Sequence, residues 1–199
     1  MAQSNAESVV LNPSRVHSAS RWGVSVLAAS AIVALCAHIS VPLFFTPVPM
    51  TLQPFAVLLL GLFMEPSAAF AALALYLLEG VSGLPVFTPQ GPGGIAQLLG
   101  PTGGYLLSYP VVAALVSTLY RRLSARSFWT ALIASFSGNA LILAAGTTWL
   151  AVLTHQSLAH TAALAVVPFL AGDALKVCLA AGIATGWFRA RKIETAAVR

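Results

Sequence analysis

Six apolar segments recur along the chain, and they constrain its fold more than any other feature of the sequence. They cover residues 22–41, 54–64, 67–78, 103–120, 128–153 and 161–188. Hydrophobic residues make up 58% of the 199 residues and charged residues 8%, and the mean hydropathy is +0.88. Such a chain is far more apolar than an ordinary soluble domain. We therefore predict an all-α membrane protein whose six transmembrane helices form one bundle.

The domain organisation follows from where polar residues collect. Residues 1–20 lack an apolar period and predict a flexible N-terminal tail, and residues 193–199 predict a short C-terminal tail. Residues 21–192 then form a single six-helix transmembrane domain. The second and third apolar segments are shorter than the roughly 20 residues that a span usually needs, so they are expected to tilt, to extend into loops or to bury their ends in protein.

Basic residues predict the orientation of the bundle in the membrane. Nine of the ten Lys and Arg residues lie outside the spans or at their ends: Arg15, Arg21, Arg121, Arg122, Arg126, Arg189, Arg191, Lys192 and Arg199. With six spans, all of these positions fall on one side, whereas the loops 42–53, 81–102 and 154–160 on the other side contain no Lys or Arg. Because cytoplasmic loops carry the excess of basic residues, both termini are predicted to be cytoplasmic.

Several function classes are disfavoured by the same sequence. The basic residues lie at span ends instead of on one solvated face, so no nucleic-acid partner is expected. Cys36 and Cys178 lie within apolar segments without a metal-binding spacing, so no metal site is expected. The chain also lacks a phosphate-binding Walker A motif and is not expected to hydrolyse ATP by itself.

Asp173 and Lys176 are the candidate functional residues that stand out most clearly. They lie three residues apart in PFLAGDALKVCL, within the sixth apolar segment, and therefore on one face of a helix. A charged side chain at the centre of a span costs roughly 2.5–3.5 kcal/mol on translocon scales, so the pair is expected to face a cavity or the bundle interior. The pair is interpreted as a ligand clamp, with an internal ion pair as the alternative. Pro168 and Gly172 permit a local kink beside it.

Other polar positions allow two interpretations each. Asn139 could make an interhelical hydrogen bond or contact a ligand, and Trp149 could belong to an interfacial aromatic belt or form a ligand platform. Glu79 is expected to be solvated near the external surface. The glycine-rich segment 83–110 is expected to be external and to lead into the fourth span. Pro101 is well placed for the first turn of that helix, whose N–H groups could meet an anion; a tight connector is the alternative.

Five motifs together resemble the BioY family, the membrane-embedded substrate-binding (S) components of energy-coupling factor (ECF) transporters for biotin. The motifs are PVPMTLQ (residues 47–53), YLLEGVSGLPVF (76–87), GPTGGY (100–105), TTWL (147–150) and AGDALK (171–176). They extend over nearly all of the predicted helices. The spacing of GLPVF, GPTGGY and the later Asp–Lys pair is the specific part of this combination.

The resemblance implies a non-enzymatic subunit that captures biotin from the external side of a bacterial (inner) cell membrane. It implies an ECF transmembrane coupling subunit and two ATPase subunits as partners, membrane lipid around the bundle, and no cofactor beyond biotin as the transported ligand. Asp173 and Lys176 would bind the ureido ring, Tyr105 and Trp149 would wall the sulfur ring, and external lid loops would close the pocket. The full set of implied ligand-binding residues is Asp173, Lys176, Tyr105, Trp149, Gln53, Thr51, Thr102, Gly103, Asn139 and Tyr76.

The sequence departs from the family pattern at two places. Some relatives have an arginine directly after the GPTGGY motif, where this chain has Leu106, so backbone N–H groups at the start of the fourth span or Lys176 would have to meet the ligand carboxylate. The first span offers Ser30-xxx-Ala34 where the family often has paired alanines that meet the coupling subunit.

Two other functions remain open at this point. One is an S component for another vitamin, such as thiamin or riboflavin. The other is an intramembrane serine protease using Ser137, which would need a histidine at a similar depth.

Overall fold

The computed structural model describes residues 13–123 and 126–197, with side chains over residues 20–123 and 126–196. The helices are α1 (Pro13–His38), α2 (Gln53–Phe63), α3 (Pro66–Val81), α4 (Gly94–Leu99), α5 (Gly103–Arg122), α6 (Phe128–Thr154), α7 (Leu158–Ala165) and α8 (Leu170–Ala197). A 3₁₀ turn, Val167–Phe169, joins α7 to α8. Two short strands, β1 (Ser40–Val41) and β2 (Met50–Thr51), pair antiparallel. The expectation of a helical protein is confirmed.

The helices have the length and composition of a multi-pass membrane protein. Four helical stretches are long and apolar enough to cross a bilayer: Ser20–His38, Gly103–Arg122, Phe128–Thr154 and Leu158–Ala196. Helices α2 and α3 are apolar but have only 11 and 16 residues. At 1.5 Å per residue they are about 16 and 24 Å long, which is less than the ~30 Å hydrocarbon core of a bilayer. Prolines at the start of both helices, Pro54 and Pro66, help to fix where they begin.

Helix α5 lies at the centre of the bundle, and two glycines let its neighbours approach it closely. A Cβ atom added at Gly61 of α2 would lie 2.8 Å from the Cβ of Val116, and one added at Gly138 of α6 would lie 2.4 Å from the Cγ2 of Val116. Both distances are shorter than atoms tolerate, so only glycine fits at these crossings. The close packing places α2 and α6 on either side of Val116 and sets the spacing of the helices that line the site.

The sixth predicted span is not one continuous helix. Residues 161–188 were expected to form a single segment, but α7 ends at Ala165, and α8 begins only at Leu170. Pro168 lies in the turn between them, where its ring removes a backbone donor and is incompatible with the interior of a regular helix. The kink expected at Pro168 is thus a complete break, and Asp173 lies in the first turn of α8.

The other boundaries also differ from those expected. Helix α1 already begins at Pro13, inside the segment expected to be a tail, and it ends at His38 because Ser40–Val41 forms β1. Residues 1–12 lie outside the described residues. At the other end, α8 continues through most of the segment expected to be a C-terminal tail, to Ala197. The glycine-rich segment 83–110 contains a helix of its own, α4, which was not expected from the sequence.

Ser30 and Glu79 connect α1 to α3 inside the protein. The Ser30 hydroxyl is fully buried and donates to the Oε2 atom of Glu79. Glu79 is half-buried and lines an open surface groove, so its carboxylate is partly solvated, as expected, and also accepts a bond from a buried hydroxyl. Ser30 faces α3 and does not lie on the outer surface of α1.

Candidate functional site

One cavity collects most of the predicted ligand-binding residues. It encloses about 530 Å³ of space between atoms, part of it open to the surface. Its lining comes from the segment around β2, from α4 and the start of α5, from the middle of α6, and from the break between α7 and α8. The lining residues are Val48, Pro49, Thr51, Gln53, Pro54, Thr88, Gln97, Thr102, Tyr105, Leu106, Tyr109, Ile142, Leu143, Phe169, Asp173 and Lys176.

Asp173 and Lys176 form a buried ion pair in the cavity wall. The Lys176 Nζ atom lies 3.0 Å from the Asp173 Oδ1 atom, and the two residues are 8% and 5% exposed. Their spacing along α8 places them on one face of the helix, as predicted. The position of Asp173 in the first turn of α8 also favours its negative charge, because the N-terminus of a helix carries a partial positive charge.

Asn139 on α6 holds the second oxygen of the same carboxylate. Its Nδ2 atom donates to the Asp173 Oδ2 atom at 3.3 Å. Asn139 does not itself line the cavity, and its Oδ1 atom is buried without a hydrogen-bond partner among the described residues. The interhelical hydrogen bond expected for Asn139 is therefore present, and it places the amide behind the ion pair as seen from the cavity.

Tyrosines from α5 provide aromatic surface beside the ion pair. Tyr105 and Tyr109 lie one turn apart on the same face of α5, and both line the cavity. The Tyr105 hydroxyl donates to the backbone oxygen of Ala165 at 2.9 Å, next to the break that precedes α8. This bond ties the α5 wall to the α7–α8 connection. Tyr105 was predicted as a wall residue, whereas Tyr109 was missed although it follows Tyr105 by four residues.

A chain of hydrogen bonds positions Gln53 at the cavity. The Thr51 hydroxyl donates to the Gln53 Oε1 atom at 3.2 Å, and the Gln53 Nε2 atom donates to the Tyr76 hydroxyl at 2.5 Å. Tyr76 in turn donates to the backbone oxygen of Val86 at 3.2 Å. Thr51 and Gln53 line the cavity, while Tyr76 lies behind them and supports Gln53.

The segment 82–102 contributes neutral polar groups to the cavity. Gln97 on α4 is 3% exposed, and its Nε2 atom donates to the Thr102 Oγ1 atom at 2.8 Å. Thr88 also lines the cavity, and its hydroxyl donates to the Oε1 atom of Gln90. Thr102 was a predicted site residue, but Thr88 and Gln97 were missed. Both residues lie shortly before the GPTGGY motif in the sequence, and this position could have indicated that they line the cavity.

Trp149 and Gly103 lie outside the cavity lining. The Trp149 Nε1 atom donates to the backbone oxygen of Gly100 at 2.9 Å, and a Cβ atom added at Gly103 would lie 3.0 Å from the Trp149 ring. The indole thus packs against the start of α5 and fixes the backbone of the GPTGGY motif. Among the predicted residues, Thr51, Gln53, Thr102, Tyr105, Asp173 and Lys176 meet in the cavity, whereas Tyr76, Asn139, Gly103 and Trp149 surround it.

Leu106 occupies the cavity wall directly after the GPTGGY motif. It is 3% exposed and lines the cavity together with Tyr105. Among the described lining residues, Asp173 and Lys176 are the charged ones, and they neutralise each other. The described cavity lining is therefore apolar along one wall and has no net charge. Its neutral hydrogen-bonding groups lie near β2 and α4.

Comparisons with known proteins identify the family of the chain. The BioY family model matches residues 10–193. The biotin transporter BioY2 of Lactococcus lactis subsp. cremoris is 36% identical over 150 residues, which cover 75% of this chain and 80% of that protein. The biotin transporter BioY of Thermotoga maritima is 35% identical over 165 residues, which cover 83% of this chain and 92% of that protein.

A solved structure has the same fold. The crystal structure of the S-component for biotin from an ECF-type ABC transporter superposes with a TM-score of 0.79 at 23% sequence identity, covering 96% of this chain and 95% of that one. The likeness extends over the whole helical bundle, including the elements that line the cavity. With the family match over residues 10–193 and relatives above one third identity, the chain belongs to the BioY family.

Proposed function

We propose that this protein is the substrate-binding subunit of a biotin uptake system, and that it binds biotin in the cavity beside Asp173 and Lys176. The observation that carries the proposal is the buried ion pair in the cavity wall, in a chain whose relatives are named biotin transporters. Binding and release of a vitamin need no covalent chemistry, so the subunit acts as a carrier and not as an enzyme.

The ion pair matches the hydrogen-bonding groups of a ureido ring. Such a ring offers two N–H donors and one carbonyl acceptor. The Asp173 carboxylate accepts from an N–H group, and the Lys176 ammonium, which has three donors, gives one to the carbonyl oxygen while keeping its bond to Asp173. Asn139 keeps the carboxylate oriented, because it holds the oxygen that Lys176 does not.

The aromatic and aliphatic walls suit the sulfur-containing ring and the alkyl chain of biotin. Tyr105, Tyr109 and Phe169 offer ring surface, and Ile142 and Leu143 add aliphatic contacts on the α6 side. A buried aliphatic carbon contributes about 0.8 kcal/mol per CH₂ when it leaves water, so several such groups support tight binding. The hydrogen bonds of Asp173 and Lys176 to the ureido ring then provide selectivity for biotin.

The topology proposed for the bundle has six spans, formed by α1, α2, α3, α5, α6 and the α7–α8 unit, with both termini cytoplasmic in a bacterial inner membrane. The absence of Lys and Arg from residues 39–52, 82–102 and 155–169 supports this orientation, since these segments would then be external. The segments around β2 and α4, which line the cavity, would form the external lid through which biotin enters.

The proposed partners are an ECF transmembrane coupling subunit and two ATPase subunits. The chain belongs to a family of transporter components, its fold matches an S-component of an ECF-type transporter, and its sequence lacks a Walker A motif. ATP hydrolysis in the partners would supply the energy that this subunit does not generate.

A ligand screen on the purified protein tests the proposed function. Biotin, thiamin and riboflavin are added separately to the full chain in detergent, and the thermal unfolding midpoint is measured, because a ligand that binds the folded state raises it by mass action. We expect biotin to raise the midpoint and the other two vitamins to leave it unchanged. Stabilisation by thiamin or riboflavin without stabilisation by biotin would contradict the proposal.

The protease alternative finds no support in the geometry. The Ser137 hydroxyl donates to the backbone oxygen of Ile133 in its own helix at 2.9 Å. His155 and His160 lie at exposed positions beyond the end of α6. Within the described part of the chain, Ser137 is thus not placed against a base that could activate it.

A further inference from the structure

We propose that the site also binds biotin derivatives whose carboxyl group has been converted into an amide or an ester. This inference rests on the proposed function, and it names the wider class of ligands that the same cavity accepts. It follows from how charge and hydrogen-bond donors are distributed around the cavity.

The ion pair is a poor site for the carboxylate of the ligand. The positive group in the described cavity lining is Lys176, and its ammonium lies 3.0 Å from the Asp173 carboxylate. A second carboxylate at Lys176 would come close to that of Asp173, and like charges repel strongly in a buried setting. The pair therefore favours the uncharged ureido end of the ligand, and the carboxyl end points away from it.

At the end of the cavity away from the ion pair, none of the described lining residues is a cation that could bind a carboxylate. External segments 39–52, 82–102 and 155–169 contain no Lys or Arg, and Leu106 presents an aliphatic side chain at the start of α5. The histidines of the third segment, His155 and His160, do not line the cavity. Among the described lining residues, a ligand carboxylate at this end would therefore meet no side-chain cation.

Thr102 is the neutral donor best placed for the carboxyl end. Its Oγ1 atom accepts a hydrogen bond from the Gln97 Nε2 atom at 2.8 Å. The Thr102 hydroxyl donates to no acceptor within residues 20–123 and 126–196. The hydroxyls of Thr51 and Thr88, by contrast, already donate to Gln53 and Gln90. A hydroxyl donor serves a carboxylate oxygen and the carbonyl oxygen of an amide or ester alike.

Binding affinity should therefore depend little on the charge of the carboxyl group. The full chain is titrated calorimetrically in detergent with biotin, with biotin amide and with biotin methyl ester. We expect the Kd values of the two neutral derivatives to lie within about fivefold of that of biotin, since a bond from a neutral hydroxyl to a carboxylate is about twice as strong as one to a neutral carbonyl, a difference of about 1 kcal/mol. A loss of tenfold or more for both derivatives would overturn the inference.

A control ligand separates this inference from the proposed function. Biotin methylated on a ureido nitrogen loses the donor that Asp173 accepts and should bind at least tenfold more weakly than biotin. If biotin and its carboxyl derivatives all fail to bind, both the proposed function and the inference are contradicted. If biotin binds and the amide and the ester do not, the inference alone fails.

Thr102→Val tests the assigned donor. The variant should weaken binding of both biotin and biotin amide, each by at least about twofold, as expected for one lost hydrogen bond. Thr118→Val is the matched control, because the Thr118 hydroxyl donates to Ala114 in its own helix at 2.8 Å and does not line the cavity. A loss confined to biotin, or equal losses in both variants, would contradict the role of Thr102.

Discussion

The Nδ2 atom of Asn139 on α6 donates to the Oδ2 atom of Asp173 on α8 across 3.3 Å. Lys176 holds the other carboxylate oxygen from within α8, at 3.0 Å. Each oxygen of the buried carboxylate thus has a partner, and one partner comes from a neighbouring helix. The orientation of the proposed ureido-binding group therefore depends on how α6 packs against α8.

Replacing Asn139 by Leu should weaken biotin binding without removing a group that lines the cavity. The variant leaves the Asp173 carboxylate free to rotate toward Lys176, and we expect a three- to tenfold rise in Kd, corresponding to about 0.7–1.4 kcal/mol. Calorimetric titration of the purified protein measures the effect.

Ser137→Ala is the control for that substitution. Ser137 lies on the same helix, but its hydroxyl bonds to its own backbone at Ile133. The Kd of this variant should equal that of the unaltered protein. An unchanged Kd in Asn139→Leu would show that Asn139 does not position Asp173.

Tyr76→Phe should affect both stability and binding. The substitution keeps the ring that packs against Phe87 at a centroid distance of 5.4 Å, but it removes the acceptor of Gln53. A buried donor without a partner costs about 1–3 kcal/mol, so the thermal unfolding midpoint should fall. Biotin affinity should fall as well, because Gln53 lines the cavity and loses its support. An unchanged midpoint together with an unchanged Kd would contradict the role given to this chain of hydrogen bonds.

Gly138→Ala should destabilise the bundle. The added methyl group would lie 2.4 Å from the Val116 Cγ2 atom and 3.0 Å from the Leu58 Cδ2 atom, so α5 and α6 must move apart. Overpacking of this kind typically costs about 1–3 kcal/mol. Thermal unfolding in detergent measures the change in midpoint.

Gly182→Ala serves as the matched comparison for Gly138→Ala. Gly182 lies on α8 and has no atom within 4 Å of an added Cβ. Alanine has a higher helix propensity than glycine, so this variant should be as stable as the unaltered protein or more stable. Similar losses in both variants would mean that the close crossing at Val116 is not what requires glycine at position 138.

Long apolar segments made the helical membrane fold predictable, and the high cost of burying charge made Asp173 and Lys176 predictable as an inward-facing pair. The break before α8 was only half anticipated. Pro168 suggested a kink, but whether a proline kinks or ends a helix depends on the packing of the turns around it. The position of Asp173 in a first helical turn could not be inferred without that packing.

Residues far apart in the chain were harder to assign. Gln97 and Thr88 look like ordinary loop residues in the sequence, and they reach the cavity only because the segment 82–102 folds against the start of α5. Trp149 matched a family motif, yet its indole bonds to Gly100 outside the cavity lining. Motifs identified the right region, whereas the direction of each side chain depended on tertiary contacts.

The buried ion pair of Asp173 and Lys176 is proposed to bind the ureido ring of biotin. Titration of biotin into the variants Asp173→Asn and Lys176→Met is the most direct test of this role. Both variants remove one partner of the proposed clamp, and both should be measured alongside the unaltered protein in the same detergent, with the unfolding midpoint recorded to show that each variant is folded. We expect each substitution to raise the Kd for biotin at least tenfold, or about 1.4 kcal/mol. Folded variants that bind biotin with unchanged affinity would contradict it.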